Sequence, residues 1–327
     1  MHYPSLAEYC DALQLNLGIA LSDPLLGHGT LRSRGPGQPV VRSGNFALTF
    51  EVVVDGRSYA VRCFHKPSDS LQARYVAIGS YLRRIRSTCF VDFEFQPSGI
   101  TTESGTYPIV RMDWAHGQTL AAFVAAHRAD ADALQQLRMS LRGISRELHR
   151  HGIAHGDIQP TNVIVLSATQ LRLIDYDGMF VPALRGQVSH EIGHRNYQHP
   201  QRNQQQFDDS LDHFSSWVIY LSLLALNVEP ELWSRFRGGD EKLLFDADDF
   251  RAPGRSPVLK ALRDSSKPDL PPLAAFISEL ARVPPTHVQP LDGQLVMRAL
   301  EEARAAARVA WIFGFKVRCW RRICLSK

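Results

Sequence analysis

Three side chains that carry oxygen, Asp157, Asn162 and Asp175, give the clearest chemical signal in this chain. Asp157 and Asn162 lie in the run HGDIQPTNVIV (residues 155–165), and Asp175 lies in LIDYDG (residues 173–178). Transfer of a phosphoryl group needs a carboxylate that orients and deprotonates the acceptor hydroxyl, together with oxygen ligands for Mg²⁺. Asp157 supplies the carboxylate, and Asn162 and Asp175 supply the ligands. Asp and Asn are also common in turns, so a loop that they merely cap is the alternative.

Two short strands are predicted around these residues, at 163–166 and 171–174. A hairpin of this kind brings Asn162 and Asp175 to the same end, where one cation fits between them. The helix before residue 155 carries apolar residues at spacings of three and four, which are Leu134, Leu137, Leu141, Ile144 and Leu148. Residues 118–285 are therefore predicted to form a mostly helical lobe, with a buried helix over 214–228.

An earlier part of the chain alternates apolar and polar residues. Apolar residues occupy every second position over 48–54 and again over 59–63, and the pair Asp55-Gly56 lies between the two runs. This pattern predicts a β-hairpin with a tight turn. A helix over 71–85 and strands at 90–95, 99–102 and 107–112 complete a small mixed sheet with one helix. Residues 1–39, which hold a short amphipathic helix and the turn-rich run SRGPGQP, are predicted to be a leader wrapped on the surface.

Taken in order, these motifs resemble those of protein kinases. Asp157 and Asn162 match the Asp and Asn of the catalytic loop H-R-D-L-x-x-x-N, and Asp175 stands where the D-F-G aspartate is expected. Three segments of the first part of the chain resemble small-lobe features: GNFALTF resembles the glycine-rich loop, YAVRCF the V-A-I-K strand, and PIVRMDWAHG the last small-lobe strand with its hinge. Two later segments resemble large-lobe features: GHRNYQHPQ resembles the end of an activation segment, and LDHFSSWVIYLSLLAL the buried helix that opens with an aspartate. The chain is most similar to bacterial kinase-like proteins with HGDLQxxN, IDYDGM and GHxNYQHP signatures, within the eukaryotic-type protein kinase-like superfamily.

The resemblance implies an α+β, two-lobed protein kinase-like fold. Its parts would be an N-terminal extension (1–39), a small β-rich N-lobe (40–114), a larger helical C-lobe (115–290) and a basic, aromatic C-terminal tail helix (291–327). It also implies ATP and Mg²⁺ as cofactors bound in the cleft, and transfer of the γ-phosphoryl group to Ser/Thr hydroxyls of a protein substrate.

The resemblance also assigns roles to individual residues. Asp157 would be the acceptor-orienting base, His155 a support for its loop, and Asp212 the residue that holds the loop backbone. Eight residues would contact the nucleotide: Gly44, Ala47, Ala60, Arg62, Met112, Asp113, Trp114 and Ala115.

Departures from the kinase pattern bear on activity. Arg62 stands in place of the Lys that pairs with phosphate. It keeps the positive charge but carries it on a larger, forked guanidinium group. The helix over 71–85 contains no acid, so the usual Lys–Glu pair lacks its Glu, and Lys66 is a possible substitute for the Lys. Gly156 replaces the Arg that would bind a phosphorylated activation segment, which disfavours activation by phosphorylation there. Gln159 replaces a Lys that is common in Ser/Thr kinases.

These departures leave two alternatives open. The first is a nucleotide-binding pseudokinase scaffold, which Arg62 and the missing helix acid favour. The second is a small-molecule phosphotransferase, since the H-G-D-x-x-x-x-N loop also resembles that of aminoglycoside and choline kinases. The segment GHRNYQHP favours a protein substrate over a small molecule.

Composition limits the remaining classes of function. At 44% hydrophobic and 21% charged residues, with no secretory signal and five cysteines that form no CxxC pair, the chain is expected to be soluble and cytoplasmic. Residues 1–300 hold 30 bases and 31 acids, which argues against a nucleic-acid surface. The tail adds seven Lys and Arg interleaved with aromatic residues, so membrane contact through it is possible, although a docking helix is preferred. The resemblance suggests a phosphatase and a von Willebrand A-type protein, encoded nearby, as partners.

The run HEIGH at residues 190–194 fits the zinc-protease pattern H-E-x-x-H. That pattern requires both histidines on one face of a helix. Gly193 lies inside the run and Pro200 follows it, and both disfavour a continued helix. We therefore expect a structured activation segment with hydrogen-bonded histidines rather than a zinc site.

Overall fold

A computed structural model describes residues 3–35, 37–44, 46–66, 70–292 and 298. The chain is a mixed α+β protein that contains a small antiparallel sheet. It divides into two compact units, one ending at Ala115 and the other beginning at His116. Apart from its first two residues and residue 298, the predicted tail helix over 291–327 lies outside the described residues.

Within its described residues, the first unit combines four helices with eight strands. In chain order they are α1 (Leu6–Leu15), α2 (Leu17–Ala20), α3 (Pro24–Gly27), β1 (Thr30–Leu31), β2 (Ser33–Gly35), β3 (Gln38–Pro39), β4 (Val41–Ser43), β5 (Ala47–Val54), β6 (Arg57–Phe64), α4 (Leu71–Ile85), β7 (Phe93–Thr102) and β8 (Gly105–Asp113). The main sheet has the order β1-β5-β6-β8-β7, with β4 also paired to β5, and all its pairings are antiparallel. The helix predicted over 71–85 is confirmed.

The hairpin predicted around Asp55-Gly56 is confirmed. Asp55 and Gly56 join β5 to β6 with φ angles of 49° and 79°. Two-residue hairpin turns of this kind need positive φ at both central positions, because the turn must match the twist of the strands. Asp and Gly are among the residues that reach such angles at low cost.

The two strands predicted at 90–95 and 99–102 are instead one strand, β7, which begins at Phe93 and runs through to Thr102. Its pairing with β8 is irregular between Gln96 and Ile100, on either side of Pro97. Proline lacks the N–H that a central strand must donate, but an edge strand tolerates it. Since β7 lies at the end of the sheet, Pro97 interrupts the register without ending the strand.

The prediction of a surface leader is wrong for residues 6–26. Tyr9 and Leu13 of α1 are fully buried and share a hydrophobic core with Phe50 and Val61 of the sheet. The Tyr9 hydroxyl donates to the carbonyl of Phe64 at 2.6 Å. The apolar stripe of α1 covers the apolar face of the hairpin because each would otherwise face water. Burial of one such side chain contributes about 1.5–3 kcal/mol.

The second unit is mostly helical. Its elements are β9 (Gln118–Thr119), α5 (Leu120–His127), α6 (Ala131–Arg150), β10 (Val163–Ser167), β11 (Gln170–Leu173), α7 (His213–Val228), α8 (Leu232–Arg235), α9 (Ala247–Arg251), α10 (Pro257–Arg263) and α11 (Leu270–Leu280), with short 3₁₀ helices at Pro182–Leu184 and Pro285–His287. The predicted apolar stripe of α6 is buried, as is nearly all of α7. Among the described residues, no helix combines the length and apolar character needed to cross a membrane.

Candidate functional site

The loop after α6 is held by a buried carboxylate at the start of α7. Asp212 is only 3% exposed, and it accepts hydrogen bonds from the backbone amides of His155 and Gly156, the second at 2.8 Å. Burial raises the pKa of Asp212, whereas His155 and the two amide bonds oppose that rise. The expectation that Asp212 holds the loop backbone is confirmed.

His155 supports the same loop from within. Its ring is buried, Nδ1 accepts from the amide of Asp157 at 3.4 Å, and Nε2 lies 2.9 Å from the carbonyl oxygen of Ile174. Since Nδ1 accepts, Nε2 carries the proton and donates to Ile174. The ring therefore ties the loop to the residue just before Asp175, as its predicted supporting role requires.

The carboxylate of Asp157 accepts three hydrogen bonds. Oδ2 accepts from Gln159 Nε2 at 2.7 Å and from Asn162 Nδ2 at 3.0 Å, and Oδ1 accepts from the amide of His194 at 2.7 Å. Burial raises the pKa of Asp157, and the carboxylate of Asp175 adds to the rise, while the amide of His194 opposes it. A carboxylate that is fixed in this way, with a raised pKa, suits a general base.

Asn162 and Asp175 lie at the same end of a hairpin, as predicted. Strands β10 and β11 pair with Val163 opposite Leu173, and the amide of Ile174 donates to the carbonyl of Asn162 at 3.0 Å. Asp175 follows directly, with φ of 72°. This left-handed conformation is uncommon outside glycine, although Asp tolerates it, and it ends the strand beside the loop.

The amide of Asn162 has a defined orientation. Nδ2 donates to both the backbone oxygen and Oδ2 of Asp157, each at 3.0 Å. The amide nitrogen is thereby committed to the loop, which leaves the oxygen Oδ1 available to a cation. Asn162 is itself buried, so its orientation is restricted by packing as well as by these bonds.

Two glycines allow the backbone to pack closely around Asp157. Gly156 has φ of 84°, and a Cβ there would overlap the carbonyl oxygen of Gly178. Gly193 has φ of 83°, and a Cβ there would lie 2.7 Å from Oδ1 of Asp157. Both positions are closed to residues with a side chain, which gives a steric reason for glycine at residues 156 and 193.

Two residues that the sequence analysis did not assign also reach this loop. Arg202 Nη1 donates to the carbonyl oxygen of Gly156 at 2.8 Å, and Gln198 Nε2 lies 3.4 Å from the same oxygen. Both side chains belong to the segment that begins GHRNYQHPQ and are buried. A polar residue that is buried by tertiary contacts leaves no local pattern in the sequence. The only signal for Gln198 and Arg202 was that they lie in or next to the run GHRNYQHPQ.

The run HEIGH is not helical. Residues 190–194 contain no helical turn, and Gly193 adopts the left-handed conformation. The histidines therefore do not share a helix face. Within the described ranges, no group of three or more His, Cys, Asp and Glu side chains is arranged to hold a metal ion.

In the first unit, the sheet places four of the predicted nucleotide contacts on one face. Ala60 pairs with Met112, Arg62 pairs with Val110, and Ala47 pairs with Phe64 next along the same face. The opposite face is the one that packs against α1. Gly44 lies in the short connection before β5 and donates its amide to the carbonyl of Ala47 at 2.9 Å.

The predicted hinge residues are the last residue of β8, Asp113, and the two residues that follow the strand. Asp113 accepts from Arg57 Nη2 at 2.8 Å, and the amide of Trp114 donates to the carbonyl of Ser58 at 3.2 Å. Ala115 is the last residue of the first unit. The amide of Trp114 is thus already engaged within the sheet.

Two arginines of the first unit are buried, one on β6 and one on α4. Arg62 is 5% exposed, and Arg74 of α4 is 3% exposed. Helix α4 packs on the Arg62 face of the sheet, with the ring of Tyr75 centred 5.9 Å from that of Phe64. Lys66, the possible substitute, has its Nζ 5.7 Å from the ring centroid of Phe46.

No family model matches the chain, and no curated protein is similar enough to count as a relative.

Proposed function

We propose that this protein is a two-lobed, protein kinase-like phosphotransferase that uses ATP and Mg²⁺ to phosphorylate Ser/Thr hydroxyls of a protein. The observation that carries the proposal is the joint placement of Asp157, Asn162 and Asp175. One loop and one hairpin end bring together a fixed carboxylate, an oriented amide and a second carboxylate.

The residues present fit a magnesium ion. Mg²⁺ takes oxygen ligands and is commonly bound by one or two carboxylates together with substrate phosphates. The oxygen of Asn162 is available because its nitrogen is committed to Asp157. Asn162 and Asp175 would hold the ion, which would neutralise charge on the phosphates.

The chain's own residues would act on the acceptor. Asp157 would accept the proton of the attacking hydroxyl at Oδ1 or Oδ2 and orient its oxygen toward the γ-phosphorus. Gln159 and the amide of His194 hold this carboxylate in place. The apolar face of Ala47, Ala60 and Met112 suits an adenine ring, and Arg62 supplies a positive charge suited to phosphate.

Incubation with γ-labelled ATP and Mg²⁺ tests the proposal. The unmodified protein is expected to transfer label to protein. Asp157→Ala should lower this transfer at least about a hundredfold, because a general base contributes that much. Asp175→Ala should also lower it strongly, because the variant loses a carboxylate ligand of the magnesium ion. Asp249→Asn is the matched control, since this buried carboxylate of the same unit bonds Ser256 Oγ at 2.5 Å. Label that persists in both Asp→Ala variants would refute the roles assigned here.

The departures in the first unit favour a second candidate, a scaffold that binds nucleotide without turnover. Arg62 is buried on the nucleotide face, and α4 carries a buried Arg74 but no acid. Tight ATP binding in calorimetry, without any transfer of label, would support this candidate. Label that moves only to added aminoglycosides or choline would instead indicate a small-molecule kinase.

A further inference from the structure

Residues 193–202 are held against the loop of Asp157 by several hydrogen bonds. The amide of His194 binds Oδ1 of Asp157, and Gln198 and Arg202 both reach the carbonyl oxygen of Gly156. Arg202 also donates to Gln198 Oε1, which links the two side chains. All of these contacts are made by backbone groups and by the side chains of Asp157, Gln198 and Arg202.

Arg202 is an unusual member of this group. Its side chain is 8% exposed, and in the described part of the chain Nε and Nη2 have no hydrogen-bond partner. Four carboxylates lie close enough to act on its charge, those of Asp212, Asp157, Glu191 and Asp208. A buried guanidinium with two unsatisfied donors is costly, so its retention needs a reason.

The position of Arg202 supplies that reason. The carbonyl of Gly156 immediately precedes Asp157, so fixing its oxygen fixes the backbone that carries the Asp157 carboxylate. Residue 156 cannot carry an arginine of its own, because a Cβ there would overlap Gly178. Arg202 instead places a positive charge against the same loop from a later segment of the chain.

We propose that Arg202 is a positioning residue for Asp157, and that it locks residues 193–202 onto the loop without phosphorylation. The inference rests on the proposed function for its catalytic meaning, whereas its structural part stands alone. A charge-assisted bond from Nη1 to the Gly156 oxygen resists local opening of residues 155–157. The contacts that hold residues 193–202 against the loop therefore need no phosphate group.

Hydrogen exchange and kinetics test this together. Arg202→Met is compared with Arg138→Met, a control matched for burial, since Arg138 is also 8% exposed in the same unit but lies over the ring of Tyr220 on α7. We expect exchange at the amides of residues 155–157 to become about tenfold faster in Arg202→Met, because a hydrogen bond to a charged group is worth that much. Arg138→Met should leave these amides unchanged.

The kinetic arm separates positioning from general stability. In Arg202→Met we expect kcat to fall about tenfold or more while KM for ATP stays within a factor of about three, because only the carboxylate geometry is disturbed. Arg202→Lys keeps a positive charge that can donate a hydrogen bond, so its exchange rates and its kcat should lie between those of Arg202→Met and the unmodified protein. If Arg202→Met does not fold, the same two measurements on Arg202→Lys test the inference.

Two outcomes would overturn the inference. One is unchanged exchange at residues 155–157 in Arg202→Met. The other is a loss of kcat in the two Met variants in proportion to their loss of thermal stability. If the unmodified protein transfers no phosphate, the proposed function fails, and the exchange measurement alone still decides whether Arg202 holds the loop.

Discussion

At the scale of single residues, the candidate site depends on backbone positions as much as on the side chains that would react. Asp157 accepts a bond from the amide of His194, and that approach requires Gly193. Gly156 adopts φ of 84° next to Gly178 and can present its amide to Asp212. The position of the Asp157 carboxylate thus depends on Gly156 and Gly193, which have no reactive side chain.

Gly156→Ala should be far more destabilising than Gly186→Ala. Both glycines have φ near 85°, which costs an alanine about 1–2 kcal/mol. A Cβ at residue 186 meets open space, whereas one at residue 156 overlaps the oxygen of Gly178. This overlap should lower the free energy of unfolding of Gly156→Ala by about a further 1–3 kcal/mol, measured by urea unfolding. Equal losses of stability in the two variants would contradict the steric account.

At the scale of elements, α1 is part of the core of the first unit. Its sequence shows an amphipathic stripe, but a stripe does not say which surface it will cover. The partner is the face of β5 and β6 that carries Phe50 and Val61. Since the other face of these strands carries the predicted nucleotide contacts, α1 stabilises the sheet from behind.

Leu13→Ala should destabilise the protein by about 2–5 kcal/mol, because it leaves a cavity in this core. Leu15 lies on the same helix and is 84% exposed, so Leu15→Ala should change the free energy of unfolding by no more than about 0.5 kcal/mol. Denaturant unfolding of the two variants measures the difference. A Leu13→Ala variant as stable as Leu15→Ala would show that α1 does not contribute to the core.

At the scale of the whole molecule, buried imidazoles of the helical unit couple stability to pH. His199 accepts from the amide of Gln201 at Nδ1 and lies 3.2 Å from the carbonyl of Leu280 at Nε2, so its ring is neutral in the folded protein. Burial lowers the pKa of His199, and it does the same for His213, which is packed near His149 and Asp212. The unfolded chain therefore binds more protons than the folded one in mildly acidic solution.

Stability should accordingly fall as the pH drops below about 6.5, the ordinary pKa of histidine. The contribution of these two residues is fully present above that pH. His199→Gln should remove part of the slope when the free energy of unfolding is measured between pH 7 and pH 5. A slope equal to that of the unmodified protein would exclude His199 as a source of the pH dependence.

Local patterns in the sequence were enough to predict the hairpin at Asp55-Gly56, the helices over 71–85 and 214–228, and the strands around Asn162 and Asp175. Periodicity and turn chemistry act between residues close in the chain, so they can be read without coordinates. The meeting of Asn162 and Asp175 followed for the same reason, because one short hairpin joins them.

Contacts between distant parts of the chain could not be read in this way. The burial of α1 against the sheet, and the approach of Gln198 and Arg202 to Gly156, join residues more than 30 positions apart. Such contacts depend on which surfaces the folded chain brings together, and a polar residue that becomes buried leaves no periodic signal. The three groups that would perform the chemistry were visible in the sequence, whereas the contacts that hold them in place were set by tertiary packing.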